Sequence, residues 1–164
     1  MRILQVIPYF YPAWTFGGPV KVAYQLSREL AKQGHDVTVY TTDALTRNST
    51  QKSRFLNVNG VKVHYFRNVS NALAYDHKIF LSPGIFSLVK KEIRWFDIIH
   101  LHDYRTFQNV VIHHYARKHR IPYILQAQGS VLRIIEKQRL KKIYEKLRNI
   151  SKEKGSIPVT PRTL

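Results

Sequence analysis

Three short stretches hold residues whose types and spacing suit ligand or proton chemistry: Gly17-Gly18-Pro19, His100-Leu101-His102-Asp103 and Gln126-Ala127-Gln128-Gly129-Ser130. Paired glycines ahead of a helix let the backbone approach a ligand, and the free N–H groups of the helix start favour an anion; the same pair also serves as a plain strand-to-helix turn. At His102-Asp103 a carboxylate stands beside an imidazole and is expected to orient it for acid–base or hydrogen-bonding work. His100 shares a strand face with His102 and is expected to lie deeper, as a hydrogen-bonded core residue. The amides of Gln126 and Gln128 can fix hydroxyl groups but cannot act as bases, and with Gly129 and Ser130 they also fit a satisfied strand end. Tyr9, Phe10, Tyr11, Trp14 and Phe16 put five aromatics into eight residues. They form either a platform for sugar faces or a lipid tail, or a cover folded over the domain edge.

Several other chemistries are absent from the chain. There are no cysteines, which removes disulfides, thiolate nucleophiles and thiolate-ligated metals. No third ligand with zinc spacing accompanies His113 and His114, so no metal site is expected. Neither GxGxxG nor a Gly-Lys-Ser/Thr phosphate loop occurs, which argues against a dehydrogenase or a P-loop ATPase, although Asp43 follows a strand where a ribose-binding acid could lie.

The elements that must position these residues follow from periodicity. Short β-rich runs alternate with segments of helical period, the pattern of βα units around a mainly parallel sheet. Five β-rich runs can be placed: Ile3–Ile7, Asp36–Thr42, a run from Phe55 to Phe66 that reads as two short strands around Asn59-Gly60, Asp97–Leu101 and Pro122–Ala127. Helices are expected over 19–33, with Val22, Ala23, Leu26 and Leu30 in one stripe, over 83–94, and over 106–119, with Phe107, Val110, Val111 and His114 on one side. A basic helix follows from Val131 to Arg148. Residues 67–82 read as a surface loop. Ligands of such a sheet gather beyond the carboxyl ends of its strands, which here are the segments 8–19, 102–105 and 126–130.

With 164 residues, 44% of them hydrophobic, the chain has the length and apolar content of one folded domain. The division expected is a domain over 1–148 and a basic, disordered tail over 149–164. The 27 Lys and Arg against 10 Asp and Glu give a net charge of +17, so the long-range field favours anionic partners. Residues 129–164 carry ten basic and three acidic side chains and form the expected anion-facing end. No apolar run approaches the roughly 20 residues of a membrane span, and the N-terminus lacks a signal-peptide pattern. The expected location is cytoplasmic, with any membrane contact peripheral to the inner face.

The order and spacing of several pieces resemble a known family. They are Met1-Arg2-Ile3-Leu4-Gln5-Val6, Tyr11-Pro12, Gly17-Gly18-Pro19, the run Leu30 to Val39, the hairpin Asn59-Gly60-Val61-Lys62-Val63, Asp97-Ile98-Ile99-His100-Leu101-His102, and Pro122-Tyr123-Ile124-Leu125 leading to Gly129. Over about residues 1–142 the chain is similar to the N-terminal domain of family 4 glycosyltransferases. The resemblance implies a Rossmann-like three-layer α/β sandwich of GT-B type. It also implies retaining transfer of a sugar from a nucleotide diphosphate sugar to a sugar or lipid-linked acceptor, without cofactor or metal. His102 and Gln128 would carry catalysis. Gly17, Gly18, Tyr11, Trp14, Asp103, Gly129 and Ser130 would line the donor-diphosphate and acceptor cleft. Gln128 stands where the family commonly has histidine. The family's second, donor-binding domain with its paired-glutamate motif does not follow, so the expectation is a truncated product or one subunit of a split enzyme. Its partners would be a separate donor-binding subunit, an anionic membrane surface and, across uncovered apolar surface, a second copy. The alternative is a non-catalytic basic binding module for anionic membrane or, ranked lower, nucleic acid.

Overall fold

Strands covered on both faces are apolar without alternation, whereas edge strands need only one apolar face. The computed structural model describes residues 1–128. In them, β1 (Arg2–Val6), β2 (Asp36–Thr42), β3 (Phe55–Val58), β4 (Val61–Phe66), β5 (Ile98–His102) and β6 (Tyr123–Gln126) form one sheet in the order β3-β4-β2-β1-β5-β6. Every pairing is parallel except β3 with β4. That hairpin turns through Asn59 and Gly60, both at positive φ, as a twist-matched two-residue turn requires. The mainly parallel, Rossmann-like α/β architecture expected from the sequence is the one observed. Because β2 and β5 flank β1 on opposite sides, the chain reverses its direction of winding there. Such a switch point leaves an open crevice at the carboxyl ends of the two central strands.

Four helices are present among the described residues: α1 (Gly18–Lys32), α2 (Asn71–His77), α3 (Ile85–Glu92) and α4 (Phe107–His119). One sheet face, with Ile3, Ile7, Val37, Val39 and Val63, packs on Ala23 of α1. The other, with Leu4, Val6, Ile99 and Leu101, packs on Ile85 and Val89 of α3 and Ile112 of α4. Strand parity therefore sends Gln5, His100 and His102 to the α1 side of the sheet.

Three expectations change. The buried row of α1 is Val20, Ala23 and Ser27, with spacings of three and four residues; Val22 lies off that row and is exposed. In α4 the inward residues are Gln108, Asn109, Val111, Ile112 and Ala116, while Val110 and His114 face outward. The polar Gln108 and Asn109 displace the expected apolar stripe because each has a role inside: Gln108 Nε2 donates to Ser82 Oγ at 3.0 Å, and Asn109 holds the β5 tip. The segment 67–82 is not all loop, since Ser70 caps α2 by accepting the Leu73 N–H at 3.3 Å. The basic helix expected over 131–148, the tail from 149, the boundary at 148, Gly129 and Ser130 lie outside the described residues.

Candidate functional site

At the switch point, His102 ends β5 with no exposed surface. Its Nε2 lies 2.7 Å from Gln5 Oε1 on β1, and its Nδ1 lies 2.7 Å from Gln128 Nε2 just past β6. Only one tautomer satisfies both contacts: Nε2–H donates to Gln5, and Nδ1 accepts from Gln128. Burial, with the His100 ring stacked 4.1 Å away, pushes the His102 imidazole down to about 3. His102 is therefore neutral at physiological pH and acts by holding the Gln128 amide. The deeper histidine is His102 and not, as expected, His100, which is half-buried.

Asp103 does not orient His102. Strand geometry stops at His102, and Asp103 takes a left-handed φ of 61°, which aspartate tolerates better than most residues. Its side chain turns to the loop after β1, where the Tyr9 hydroxyl donates to Oδ2 at 2.6 Å. Burial raises the Asp103 carboxyl above its ordinary value and the Tyr9 hydrogen bond lowers it in part. Burial and Asp103 together raise the Tyr9 phenol. Asn109 fixes the turn by donating through Nδ2 to the Asp103 carbonyl at 2.8 Å, and Thr106 starts α4 by accepting the Asn109 N–H at 3.1 Å.

Tyr9 carries the site to the glycines. Its ring stacks on Phe16 at 4.9 Å, and Phe16 leads directly into Gly17. Gly17 has φ 90° and ψ −147°, a region open essentially to glycine alone. Gly17 and Gly18 are both exposed, and a Cβ at either would meet nothing within 4 Å. The Gly17 N–H is taken by the Trp14 carbonyl at 3.0 Å and Pro19 has none, so the exposed start of α1 offers the Gly18 N–H and the positive end of the helix dipole at the carboxyl end of the sheet. The five aromatics divide: Phe10 is buried, Tyr9, Tyr11 and Phe16 are half-buried, and Trp14 is 39% exposed. Tyr11 stacks on Tyr24 of α1 at 5.5 Å and meets Trp14 edge-on at 5.5 Å, so Trp14 presents an amphipathic ring beside the glycine turn.

The structure brings His102, Gln128, Asp103, Gly17 and Gly18 into one connected line through Gln5, Tyr9 and Phe16. Tyr11 and Trp14, in the segment between β1 and α1, flank it and pack against Tyr24 of α1. Sequence reasoning missed Gln5 and the role of Tyr9. A lone amide in the otherwise apolar run Ile3–Ile7 was the available signal, since a buried amide requires a partner. Asp43 sits at the end of β2 and is buried, with Oδ1 accepting the Asn68 N–H at 2.8 Å, so it is engaged by the backbone. Among the described residues no group of three or more His, Cys, Asp or Glu is placed to hold a metal, and no helix is long and apolar enough to cross a membrane.

No curated protein matches the chain. The family model described as Glycosyltransferase Family 4 matches residues 16–154, a span that opens at the glycine turn and takes in His102, Asp103 and Gln128. With an exposed helix start at the switch point of a mainly parallel sheet and a family match over most of its length, the chain belongs to glycosyltransferase family 4.

Proposed function

We propose that this domain forms the acceptor-side wall of a glycosyl-transfer cleft, and that a nucleotide diphosphate sugar bound by a donor-binding domain, on this polypeptide or on a partner subunit, supplies the sugar. The observation that carries the reading is the exposed Gly17-Gly18 turn at the start of α1, aligned with the His102–Gln128 pair at the same sheet end. The Gly18 N–H and the α1 helix dipole suit the donor's diphosphate. Gln128, held by the neutral His102 ring, offers its remaining amide groups to sugar hydroxyls. Trp14 supplies a ring face to the acceptor. The work assigned to this wall is positioning, which raises rate only when the reacting atoms meet in line. Turnover therefore requires both walls.

The test is glycosyl transfer from a panel of nucleoside diphosphate sugars, measured for residues 1–164 alone and with a donor-binding domain supplied. The expected result is turnover only in combination, reduced about 10- to 100-fold by Gln128→Ala with folding intact. Robust turnover by residues 1–164 alone, or indifference to Gln128→Ala in the combined assay, would overturn the reading.

A further inference from the structure

Beyond the switch point, the tips of β2 and β4 open onto a second crevice of about 600 Å³, within the range of small-ligand sites. Its lining includes four cations, Arg47, Lys52, Arg54 and Arg67, and one carboxylate, Asp43. The carboxylate gives the cations nothing, because it is buried and accepts the Asn68 N–H. Arg47 pairs with Asp76 at 3.1 Å outside the crevice. The side chains of Lys52, Arg54 and Arg67 have no ion pair among the described residues.

The walls are built before any ligand arrives. The Asp43 N–H donates to the Phe66 carbonyl at 2.9 Å, and the Gln51 N–H donates to the Asp43 carbonyl at 2.7 Å. Ala44 and Thr50 pair in an antiparallel bridge, which folds the 44–50 segment over the crevice. Buried Asn68 ties the far side down, its Oδ1 accepting the Leu81 N–H at 3.0 Å and its Nδ2 donating to the Ser70 carbonyl at 2.8 Å. A concavity with fixed walls that gathers like charges without a counter-charge favours an anion. Guanidinium groups match the paired oxygens of a phosphate.

We propose that the crevice at the β2 and β4 tips, rimmed by Lys52, Arg54 and Arg67, is a binding site for a phosphate-bearing ligand, whether a soluble phosphate ester or a lipid headgroup. The site is separate from the Gly17–Gln128 line and stands whether or not the domain transfers sugar. The test uses residues 1–164, the variant Arg54→Gln with Arg67→Gln, and a charge-matched control, Lys90→Gln with Lys91→Gln on α3. Two probes are titrated by calorimetry: inorganic pyrophosphate, and phosphatidylcholine vesicles with and without phosphatidic acid. The expected result is binding of at least one phosphate probe that weakens about tenfold or more in the arginine variant and holds in the control. Pyrophosphate binding assigns a soluble ligand. Binding to phosphatidic acid vesicles alone assigns a headgroup. Equal weakening by the α3 control reduces the effect to net charge and overturns the proposal, as does failure of both probes to bind the unaltered chain.

Discussion

One end of one sheet carries two regions of opposite character. At the β1–β5 switch point the polar groups are buried and engaged with one another: His102 between Gln5 and Gln128, Asp103 with Tyr9. At the β2–β4 tips Lys52, Arg54 and Arg67 are cationic, exposed and without an ion pair among the described residues. A hydrogen bond in a buried site fixes orientation, so the Gln128 amide is held against the His102 ring. Open cations provide attraction with little orientation of their own. The first region is therefore suited to recognising where a hydroxyl points, and the second to drawing in charge.

If the comparison holds, substitutions at the two tips should differ sharply in their effect on stability. His102→Ala should cost about 2–4 kcal/mol in urea unfolding, since it opens a cavity and strands the buried Gln5 amide; a loss below about 1 kcal/mol would dissolve the contrast. The same ring sets a pH dependence. Its folded value of about 3 lies below the ordinary 6.5, so the unfolded chain takes up the proton first. The stability it contributes is complete above pH 6.5 and is lost as pH falls toward 3. Asp103, raised above 3.8, acts in the opposite sense in the lower part of that window. Between about pH 5 and 6.5 the stability should change by about 1 kcal/mol per pH unit on account of His102. Unfolding curves for His102→Ala should lack this component.

The glycine turn sharpens the comparison from the backbone side. Gly17→Ala should cost about 1–2 kcal/mol although space is open around it, because the loss is one of φ and ψ. Gly18→Ala, without a positive φ, should be close to neutral in the same thermal scan, and equal losses would mean that the Gly17 dihedral angles are not what decides. The smallest effect belongs to the second region. Arg54→Gln with Arg67→Gln should shift unfolding by no more than about 0.5 kcal/mol in either direction. A large loss there would show that these cations are bound into the fold after all.

Much of the scaffold was legible in the chain. The apolar run Ile3–Ile7, the Pro19 and Gly34 limits of α1, and Asn59-Gly60 each declare an element through local chemistry, and the observed strands lie within a residue or so of the expected ones. The segment 67–82 misled because α2 buries only Ala74, too little to impose a period. In α4 the inward Gln108 and Asn109 broke the apolar stripe by serving distant partners. The candidate site was legible as a location and not as a set of contacts. Sequence adjacency paired His102 with Asp103, whereas the end of strand geometry after His102 separates them.

The sequence by itself determined the βα succession, the limits of its elements and the cationic balance, because these depend on neighbouring side chains and on composition. Tertiary structure alone decided that Gln5 meets His102 and that Tyr9 meets Asp103, across 97 and 94 positions of chain. The first of these follows from β1 pairing with β5, Gln5 opposite His100, and a one-residue change in that register would turn His102 to the other face of the sheet from Gln5.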